Sequence, residues 1–255
     1  MTPPSASGVP GPGPVPPHPL LTRYYADEAQ RRKRVGSWFD GAAPDYDWIN
    51  QAMSFGSGAW YRKQALLRAG LVQGMSALDA GSGTGVVAAQ AGEIVGPRGN
   101  VTALDPSLGM LGQAERRGVR IRVRGVAEAL PFASRRFDFL SMGYALRHVP
   151  DLHVTFREYH RVLKPGGRLL ILEVTPPRSR LAFRLLKLYL RTLVPLMAGF
   201  GQGGSTSREL MEYYWDTVEA CVPPQVILEG LEAAGFSKVS RYVANGIFSE
   251  YTAVG

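Results

Sequence analysis

Cysteine is almost absent from the sequence, and so are long uncharged apolar runs. The single cysteine, Cys221, excludes an internal disulfide and any metal site built from several cysteines, and it fits a reducing compartment such as the cytoplasm. No apolar run reaches the roughly 18 residues of a membrane-spanning helix, and the N-terminus lacks the apolar core of a signal peptide. We therefore expect a cytoplasmic protein without a metal, for which any contact with the inner membrane is peripheral.

The composition is that of an ordinary globular protein with an excess of positive charge. The 255 residues are 45% hydrophobic and 20% charged, which suits one α/β domain with a sizeable core. The net charge of +8 leaves nucleic acid, anionic lipid and acidic substrates open as partners, beside a solvated arginine-rich surface. Charge alone does not choose between them.

The chain divides by composition into a tail, a helical segment and one larger domain. Residues 1–20 are mostly proline, glycine and serine, so they bury little apolar area, and we expect a disordered or polyproline-like tail. Residues 21–70 have a helical pattern and precede the larger domain, residues 71–255. Within that domain a helical insert, about 178–222, follows the fifth predicted strand.

Short apolar runs alternate with helical segments through the larger domain. Strands that alternate with helices imply right-handed crossovers and a parallel sheet with helices on both faces. A helix ending at Gly235 is followed by two runs around Asn245-Gly246, a hairpin signal. The prediction is an α/β, Rossmann-like, seven-stranded, mostly parallel sheet with an antiparallel C-terminal strand pair. The first five strands are predicted at 76–79, 100–105, 119–123, 137–142 and 168–174.

A glycine-rich loop, Gly81-Ser82-Gly83-Thr84-Gly85, follows the first predicted strand. Glycine permits a tight turn and close approach of a ligand to the backbone, and Asp105, at the end of the second strand, can accept both hydroxyls of a ribose. Nicotinamide-dinucleotide-binding proteins share these features. Asp79 argues against such a protein, because a carboxylate beside the loop crowds a pyrophosphate but suits a cationic ligand. The lack of a second substrate domain and the antiparallel end of the sheet also argue against a nicotinamide-dinucleotide-binding protein.

Five strings within residues 75–175 resemble the class I S-adenosylmethionine (SAM) methyltransferases in order and spacing. They are LDAGSGTG, VTALDPSLGML, VAEALPF, FDFLSMGYALRHV and RVLKPGGRLLILE. The resemblance implies that SAM is the cofactor and that Asp105 holds its ribose. Met110 or Leu111 would border the adenine, with a core position as the alternative for Met110. The expected SAM-binding residues are Asp79, Gly81, Ser82, Gly83, Gly85, Asp105, Pro106, Met110, Ala127 and Glu128.

The N-terminal helical segment resembles a narrower group, the UbiE-type ubiquinone and menaquinone C-methyltransferases. The string WFDGAAPDYDWINQAMSFG, which includes Phe55, is similar to one of that family, and so are GYALRHVPD and RLLILEVTPP. The family methylates a ring carbon of a prenylated benzoquinol or naphthoquinol, so the resemblance implies an aromatic, quinol-like acceptor. It also implies that Tyr46 and Arg147 lie near the reacting ring.

His148 stands where that family has asparagine. A quinol carbon becomes nucleophilic when a neighbouring hydroxyl is deprotonated, and a histidine with a pKa of about 6.5 could take that proton. The alternative is a packing or helix-capping histidine. Tyr144 is either a wall of the acceptor pocket or part of the core. The chain departs from the family at Val126, where a side-chain contact to the adenine amine is lost, and at its C-terminal end.

The insert carries a basic stripe on an otherwise apolar helix. Such a helix suits a lid over an apolar pocket, a homodimer contact or the surface of a membrane. Tyr213 and Tyr214, beyond a glycine-rich stretch, either line the acceptor pocket or pack in the core. The residues of the stripe, spaced four, three and four positions apart on one helical face, are Arg180, Arg184, Lys187 and Arg191.

The two leading functions both use SAM. One is C-methylation of a quinol-like aromatic acceptor, and the alternative is O- or N-methylation of a soluble aromatic secondary metabolite. A nucleic-acid methyltransferase is disfavoured because SMGYALRHV lacks the Pro-Pro-aromatic motif that grips a flipped base, and Cys221 lies far from that strand. A SAM-binding sensor or scaffold without catalysis stays open. We therefore expect a small-molecule acceptor and no nucleic-acid partner.

Overall fold

A mixed sheet forms the centre of the protein in the computed structural model, which describes residues 13–54 and 56–255. The strands are β1 (Ser76–Ala80), β2 (Asn100–Asp105), β3 (Ile121–Arg124), β4 (Phe137–Gly143), β5 (Leu163–Val174), β6 (Ser237–Ala244) and β7 (Phe248–Val254). The helices are α1 (Glu28–Met53), α2 (Gly58–Arg68), α3 (Val86–Val95), α4 (Leu108–Arg116), α5 (Leu152–Val162), α6 (Arg180–Leu188), α7 (Val194–Ala198), α8 (Gly204–Glu219) and α9 (Pro224–Ala233). A π-helical turn, Tyr189–Leu193, links α6 to α7.

The strand order β3-β2-β1-β4-β5-β7-β6 confirms the predicted sheet. The first five strands pair in parallel, whereas β7 runs antiparallel to both β5 and β6. Asn245 and Gly246 connect β6 to β7 with φ of 50° and 73°, as the two central residues of a tight hairpin turn require. The strand order reverses between β1 and β4, and ligands of such sheets bind at that point, beyond the carboxyl ends of the strands.

Two strands begin at least two residues away from the start that the sequence predicts. The third strand spans Ile121–Arg124, so it begins two residues later than its apolar pattern indicates. Strand β5 begins at Leu163, directly after α5, rather than at residue 168, so Pro165 and Gly166 lie inside the strand. Gly166 has a φ of 76° there.

Helices cover both faces of the sheet because both faces of its strands are apolar. Leu140 and Leu169 belong to a core that includes Tyr159 and lies between the sheet and helices α5 and α9. Phe139 and Leu170, their neighbours in sequence, face the opposite way into a second core under α2 and α3. Successive side chains of a strand point to opposite faces, so near-continuous apolar runs build two cores at once.

The N-terminal helical segment and the insert pack against each other beyond the edge of the sheet. Trp38 and Ile49 of α1 join Tyr213 and Trp215 of α8 in a third core. Helix α1 continues through Pro44, which its sequence marks as a breaker. The burial of Trp38 and Ile49 against α8 stabilises the helix on both sides of that proline, and the resulting layer closes the site described below.

Part of the tail that we expected to be disordered packs against the domain. Residues 1–12 lie outside the described residues, as does Phe55, but His18 is only 4% exposed. The carbonyl of Val15 accepts the N–H of Leu152 at the start of α5, and the carbonyl of Pro17 accepts the N–H of Val222. From residue 13 onward the segment is therefore ordered rather than disordered, because these backbone bonds and the packing of Val15 on the core hold an otherwise irregular segment.

Candidate active site

The glycine loop adopts backbone conformations that favour glycine. Gly81, Gly83 and Gly85 have φ of 65°, 56° and 79°, in the left-handed region. A Cβ on Gly81 would lie 2.7 Å from the Cβ of Ala145, and one on Gly85 would lie 2.9 Å from that of Ala114. Gly85 therefore lets α3 pack closely on α4, which differs from the SAM contact expected for it, whereas Gly81 and Gly83 line the cavity described below.

Asp105 ends β2 beside the glycine loop. Its Oδ2 accepts the N–H of Gly83 at 2.8 Å, and its Oδ1 accepts the N–H of Ser107 at 2.9 Å. Burial raises the pKa of this carboxyl to about 6. A carboxylate has about four lone-pair sites, so two remain for the two hydroxyls of a ribose, the role expected for Asp105.

Two buried polar atoms beside the loop lack a partner. Asp79 lies in β1 beneath the loop, where its Oδ1 accepts the hydroxyl of Ser141 at 2.7 Å. Its Oδ2 and the Oγ of Ser82 are buried, and neither has a hydrogen-bond partner among the described residues. Burial raises the pKa of Asp79 to about 6. Because unpaired buried polar atoms cost free energy, the Oγ of Ser82, which lines the cavity described below, fits a bound polar group such as the amino group of SAM.

One cavity of about 760 Å³ extends from the glycine loop to the N-terminal segment and the insert. This volume lies within the usual range for small-molecule sites. Asp79 and Gly85 lie behind its wall, and Met110 reaches it from α4. Eight of the ten residues expected to bind SAM line one end: Gly81, Ser82, Gly83, Asp105, Pro106, Met110, Ala127 and Glu128.

The other end of the cavity is an apolar chamber, which we call the acceptor chamber. Leu186 of α6 and Leu190 of the π-helical turn line it from the insert, and the β6–β7 hairpin contributes Ile247 and Phe248. Helix α6 and the π-helical turn, which we call the lid, therefore cover the chamber. Its aromatic wall consists of Phe39, Tyr46, Tyr144, His148 and Tyr214. The chamber therefore suits a flat ring with an apolar substituent.

The phenol groups of the chamber are neutral. Burial raises the pKa of Tyr46 to about 12, and it also raises the pKa values of Tyr144 and Tyr214. Tyr144 has a φ of 61°, an uncommon value for a bulky residue. Its backbone N–H donates to the carbonyl of Leu172 at 2.7 Å, which holds the strained residue at the end of β4.

His148 lies in the wall of the chamber as a neutral imidazole. Burial lowers its pKa well below the ordinary 6.5, and the nearby Arg147 and Arg31 guanidinium groups lower it further. The ring meets that of Phe39 edge to face at 5.2 Å, and its Nδ1 lies 3.5 Å from the hydroxyl of Tyr213. The imidazole is therefore unprotonated at neutral pH and available to accept a proton.

Arg147 lies behind the chamber wall rather than at the acceptor ring, where we expected it. It is 0% exposed, and its Nε donates to Oε2 of Glu173 at 2.8 Å. Its two terminal nitrogens donate to the carbonyls of Tyr214 and Tyr144, each at 3.2 Å, and one also donates to the hydroxyl of Thr217. With four of its five N–H donors taken by the protein, Arg147 positions the two tyrosines of the wall.

Tyr213 takes the second of the two roles left open for it, a position in the core. It is 0% exposed, and its ring packs edge to face on Tyr24 at 5.4 Å and against Trp38 at 5.2 Å. Tyr213 thus belongs to the core between α1 and α8 and lies behind His148 as seen from the chamber. The next residue, Tyr214, faces the chamber.

Two acids of the N-terminal segment, which the sequence analysis assigned no role, fasten this segment to the SAM end. Asp40 accepts the hydroxyl of Ser107 at 2.5 Å, and Asp47 accepts the hydroxyl of Thr84 at 2.5 Å. Asp47 also forms an ion pair with Arg117. Both acids belong to the family-like string WFDGAAPDYDWINQAMSFG, so the sequence could have marked them as candidate functional residues. Only the fold shows which loops they contact.

The basic stripe of the insert divides into two pairs. Lys187 forms an ion pair with Glu219, and Arg191 forms one with Asp216, so both contact α8. Arg180 and Arg184 are exposed, and no acid in the described part of the chain lies within ion-pair distance of either. Half of the stripe therefore holds the lid to α8, and only the other half is available to a partner.

A Rossmann-like sheet with this glycine loop, a carboxylate at the end of β2 and an adjoining acceptor chamber defines a SAM-dependent methyltransferase. Solved structures share the fold. A SAM-dependent methyltransferase from Thermotoga maritima, described as a possible histamine N-methyltransferase, superposes with a TM-score of 0.61 at 20% identity over 86% of this chain and 99% of that one. Phosphoethanolamine N-methyltransferase 2 of Haemonchus contortus, solved with SAM, superposes with a TM-score of 0.57 at 20% identity over 84% and 57%.

Sequence comparison gives the family. Residues 27–254 match the model of the ubiE/COQ5 methyltransferase family. The demethylmenaquinone methyltransferase of Staphylococcus aureus (strain JH9) is 34% identical over 194 residues, which are 74% of this chain and 78% of the relative. The chain belongs to the ubiE/COQ5 methyltransferase family. The resemblance, the enzyme class and the SAM cofactor predicted from the sequence are confirmed.

Proposed function

We propose that the protein transfers a methyl group from SAM to a ring carbon of a quinol-like acceptor. The observation that carries this proposal is the continuity of the cavity, which joins the SAM end to an aromatic chamber that contains a neutral imidazole, His148. The name of the relative from Staphylococcus aureus supports a demethylated naphthoquinol as the acceptor. The aliphatic lid residues Leu186 and Leu190 suit an isoprenoid tail on that ring.

SAM supplies an electrophilic methyl group on a positively charged sulfur. The acceptor hydroxyl first loses its proton, and the adjacent ring carbon then forms a bond to the methyl while the electron pair of the broken sulfur–carbon bond stays on sulfur. Loss of the ring C–H proton restores aromaticity, and after the oxygen is protonated again one proton has been released for each methyl transferred. His148 accepts the hydroxyl proton, and the apolar walls exclude water and align the reacting atoms.

An acceptor panel tests the reaction. We expect the purified protein to methylate reduced demethylmenaquinol, with the new methyl group on carbon by NMR, and not to methylate soluble phenols or amines at comparable rates. Products methylated only on oxygen or nitrogen would support the alternative function and contradict the proposal. Binding of SAM without transfer to any member of the panel would support a sensor or scaffold.

The outward face of the lid points to an anionic membrane surface as the place where such an acceptor is met. Leu181, Leu185 and Leu188 are 68%, 58% and 56% exposed, and their spacing of four and three residues places them on one helical face. Arg180 and Arg184 flank them, and no acid of the described chain pairs with either. An apolar face bordered by cations matches a surface of anionic lipid. None of the helices described here is long and apolar enough to cross a bilayer.

Vesicle flotation tests this contact. We expect the protein to float with vesicles that contain phosphatidylglycerol and not with pure phosphatidylcholine. The double variants Leu181→Asn/Leu185→Asn and Arg180→Glu/Arg184→Glu should each reduce the floated fraction at least fivefold. The control Arg116→Glu/Arg120→Glu changes the charge equally on another surface and should float more than the Arg180/Arg184 variant. Equal flotation of the leucine variant, or conversion of a dimer to a monomer by it, would contradict a membrane role.

A further inference from the structure

Arg62 enters the acceptor chamber from α2 and has no assigned role. It lies in the second turn of that helix and lines the cavity. Its guanidinium carbon lies 4.9 Å from the ring centroid of Tyr144, which places the cation over the face of that ring. A cation at this position faces the part of the chamber where an aromatic acceptor is expected to lie.

The buried acids around this part of the chamber already have their own arginines. Glu173 pairs with Arg147 at 2.8 Å. Glu250 pairs with Arg68 at 2.6 Å and accepts the hydroxyl of Tyr61 at 2.9 Å. No acid among residues 13–54 and 56–255 lies within ion-pair distance of Arg62. The chamber therefore holds one positive charge more than its acids neutralise.

The phenols around Arg62 do not supply the missing negative charge. Burial raises the pKa values of Tyr46, Tyr144 and Tyr214, and the positive charge of Arg62 opposes that shift at all three without reversing it. The three phenols stay neutral at physiological pH. An anion that complements Arg62 must then come from a bound reactant, and a guanidinium that lies over the ring of Tyr144 with its N–H donors unpaired among the described residues is suited to bind an oxyanion.

We propose that Arg62 is a catalytic residue that binds the deprotonated hydroxyl of the acceptor. The inference rests on the proposed function, in which the acceptor is a phenol. In this arrangement the hydroxyl proton passes to His148, and the negative charge on oxygen faces Arg62. Methyl transfer neutralises that charge, loss of the ring proton restores the anion beside Arg62, and protonation of the oxygen completes the reaction. Stabilisation of the anion by Arg62 compensates for the weak basicity of a buried imidazole.

A spectroscopic titration tests this inference without requiring methyl transfer. The probe is 4-nitrophenol, whose phenolate has a visible absorption band, bound to the protein saturated with S-adenosylhomocysteine. We expect the wild-type chamber to lower the pKa of the bound probe and Arg62→Met to raise that pKa by at least one unit, a tenfold change in the ionisation equilibrium. Arg62→Lys keeps the charge and should retain most of the lowering. Lys63→Met removes a surface charge from the same helix, where Lys63 pairs with Glu93, and should behave as wild type.

Each outcome supports or overturns the role of Arg62. Failure of the wild-type protein to bind the probe, or an unchanged pKa of the bound probe in Arg62→Met, overturns it. A tenfold loss of S-adenosylhomocysteine affinity in Arg62→Met would assign the guanidinium to the carboxylate of the cofactor and would also overturn it. If the probe titrates as expected but no quinol is methylated, the proposed function fails while the anion site stands.

Discussion

Nε of Arg147 lies 2.8 Å from Oε2 of Glu173, and the two side chains are 0% and 2% exposed. Glu173 also accepts the N–H of Leu146 at 3.0 Å, so the pair joins β5 to the turn that follows β4. Arg147 extends the connection to the carbonyls of Tyr144 and Tyr214. The positions of Tyr144 and Tyr214 in the wall of the acceptor chamber therefore depend on one buried ion pair.

Removal of one partner of this pair should destabilise the protein strongly. Glu173→Gln leaves the Arg147 guanidinium buried without a counter-charge, and we expect the free energy of unfolding to fall by about 3–5 kcal/mol in denaturant titrations. Lys63→Met breaks the exposed pair with Glu93 and should cost less than about 1 kcal/mol. If the free energy of unfolding fell equally in the two variants, the buried Arg147–Glu173 pair would contribute no more to stability than an exposed pair.

The raised pKa of Asp105 predicts a pH dependence of cofactor binding. Ribose hydroxyls donate to the carboxylate, so binding favours its deprotonated form. With a pKa of about 6, this form is depleted as the pH falls from 8 to 5, and the affinity for S-adenosylhomocysteine should fall roughly tenfold in calorimetry.

The variant Asp105→Asn separates this effect from other titrations. It should bind S-adenosylhomocysteine about tenfold more weakly at pH 8 and should lose the part of the pH dependence that comes from Asp105, because the amide does not titrate. Any part that comes from Asp79, whose pKa is also raised to about 6, should remain. The surface variant Glu93→Gln should keep the wild-type profile. A wild-type affinity that does not change between pH 8 and pH 5 would contradict the assignment of Asp105 to the ribose.

His148 should affect turnover more than cofactor binding. If its neutral imidazole accepts the hydroxyl proton, His148→Ala and His148→Asn should lower kcat by about 100-fold and leave the Kd of S-adenosylhomocysteine within threefold. His160→Ala is the matched control, because His160 packs on Phe236 away from the cavity. Wild-type turnover in both His148 variants would assign this residue to packing against Phe39 and Tyr213.

Asp45 should stabilise the junction between the lid and α8. Its carboxylate accepts the backbone N–H groups of Gln202 and Gly203 at 2.9 and 2.6 Å and the hydroxyl of Ser207 at 2.9 Å. Asp45→Asn replaces one acceptor oxygen by a donor, so we expect a loss of about 2 kcal/mol in the free energy of unfolding at pH 7. Asp27→Asn, at the exposed cap of α1, should cost less.

The effect of Asp45 should vanish in acid. Burial acts to raise its pKa, but the hydrogen bonds from Gly203, Ser207 and Gln202 outweigh burial and hold the pKa below 3.8. A carboxyl whose pKa is lower in the folded state contributes stability above its unfolded pKa and loses it as the pH falls. Wild type and Asp45→Asn should therefore converge in stability below about pH 3.8, and a constant difference down to pH 2 would contradict this account.

The roles of neighbouring residues show where sequence reasoning stopped. Arg147 and His148 are adjacent in one family-like string, and both were expected at the acceptor ring. They fall in a short 3-10 turn, Leu146–His148, in which successive side chains diverge by about 120°. His148 consequently faces the chamber while Arg147 faces Glu173. In the α-helix α8 successive side chains diverge by about 100°, which turns Tyr214 toward the chamber and leaves Tyr213 in the core.

The sequence by itself determined the sheet, the glycine loop and the position of Asp105, because these depend on residue spacing within one strand and the turn that follows it. Tertiary structure alone decided that no acid of the described residues pairs with Arg62, that Lys187 pairs with Glu219 and that His18 is buried. Those outcomes depend on contacts between segments far apart in the chain. A charge acquires or lacks a partner only when folding sets the distances between such segments, and no local pattern encodes them.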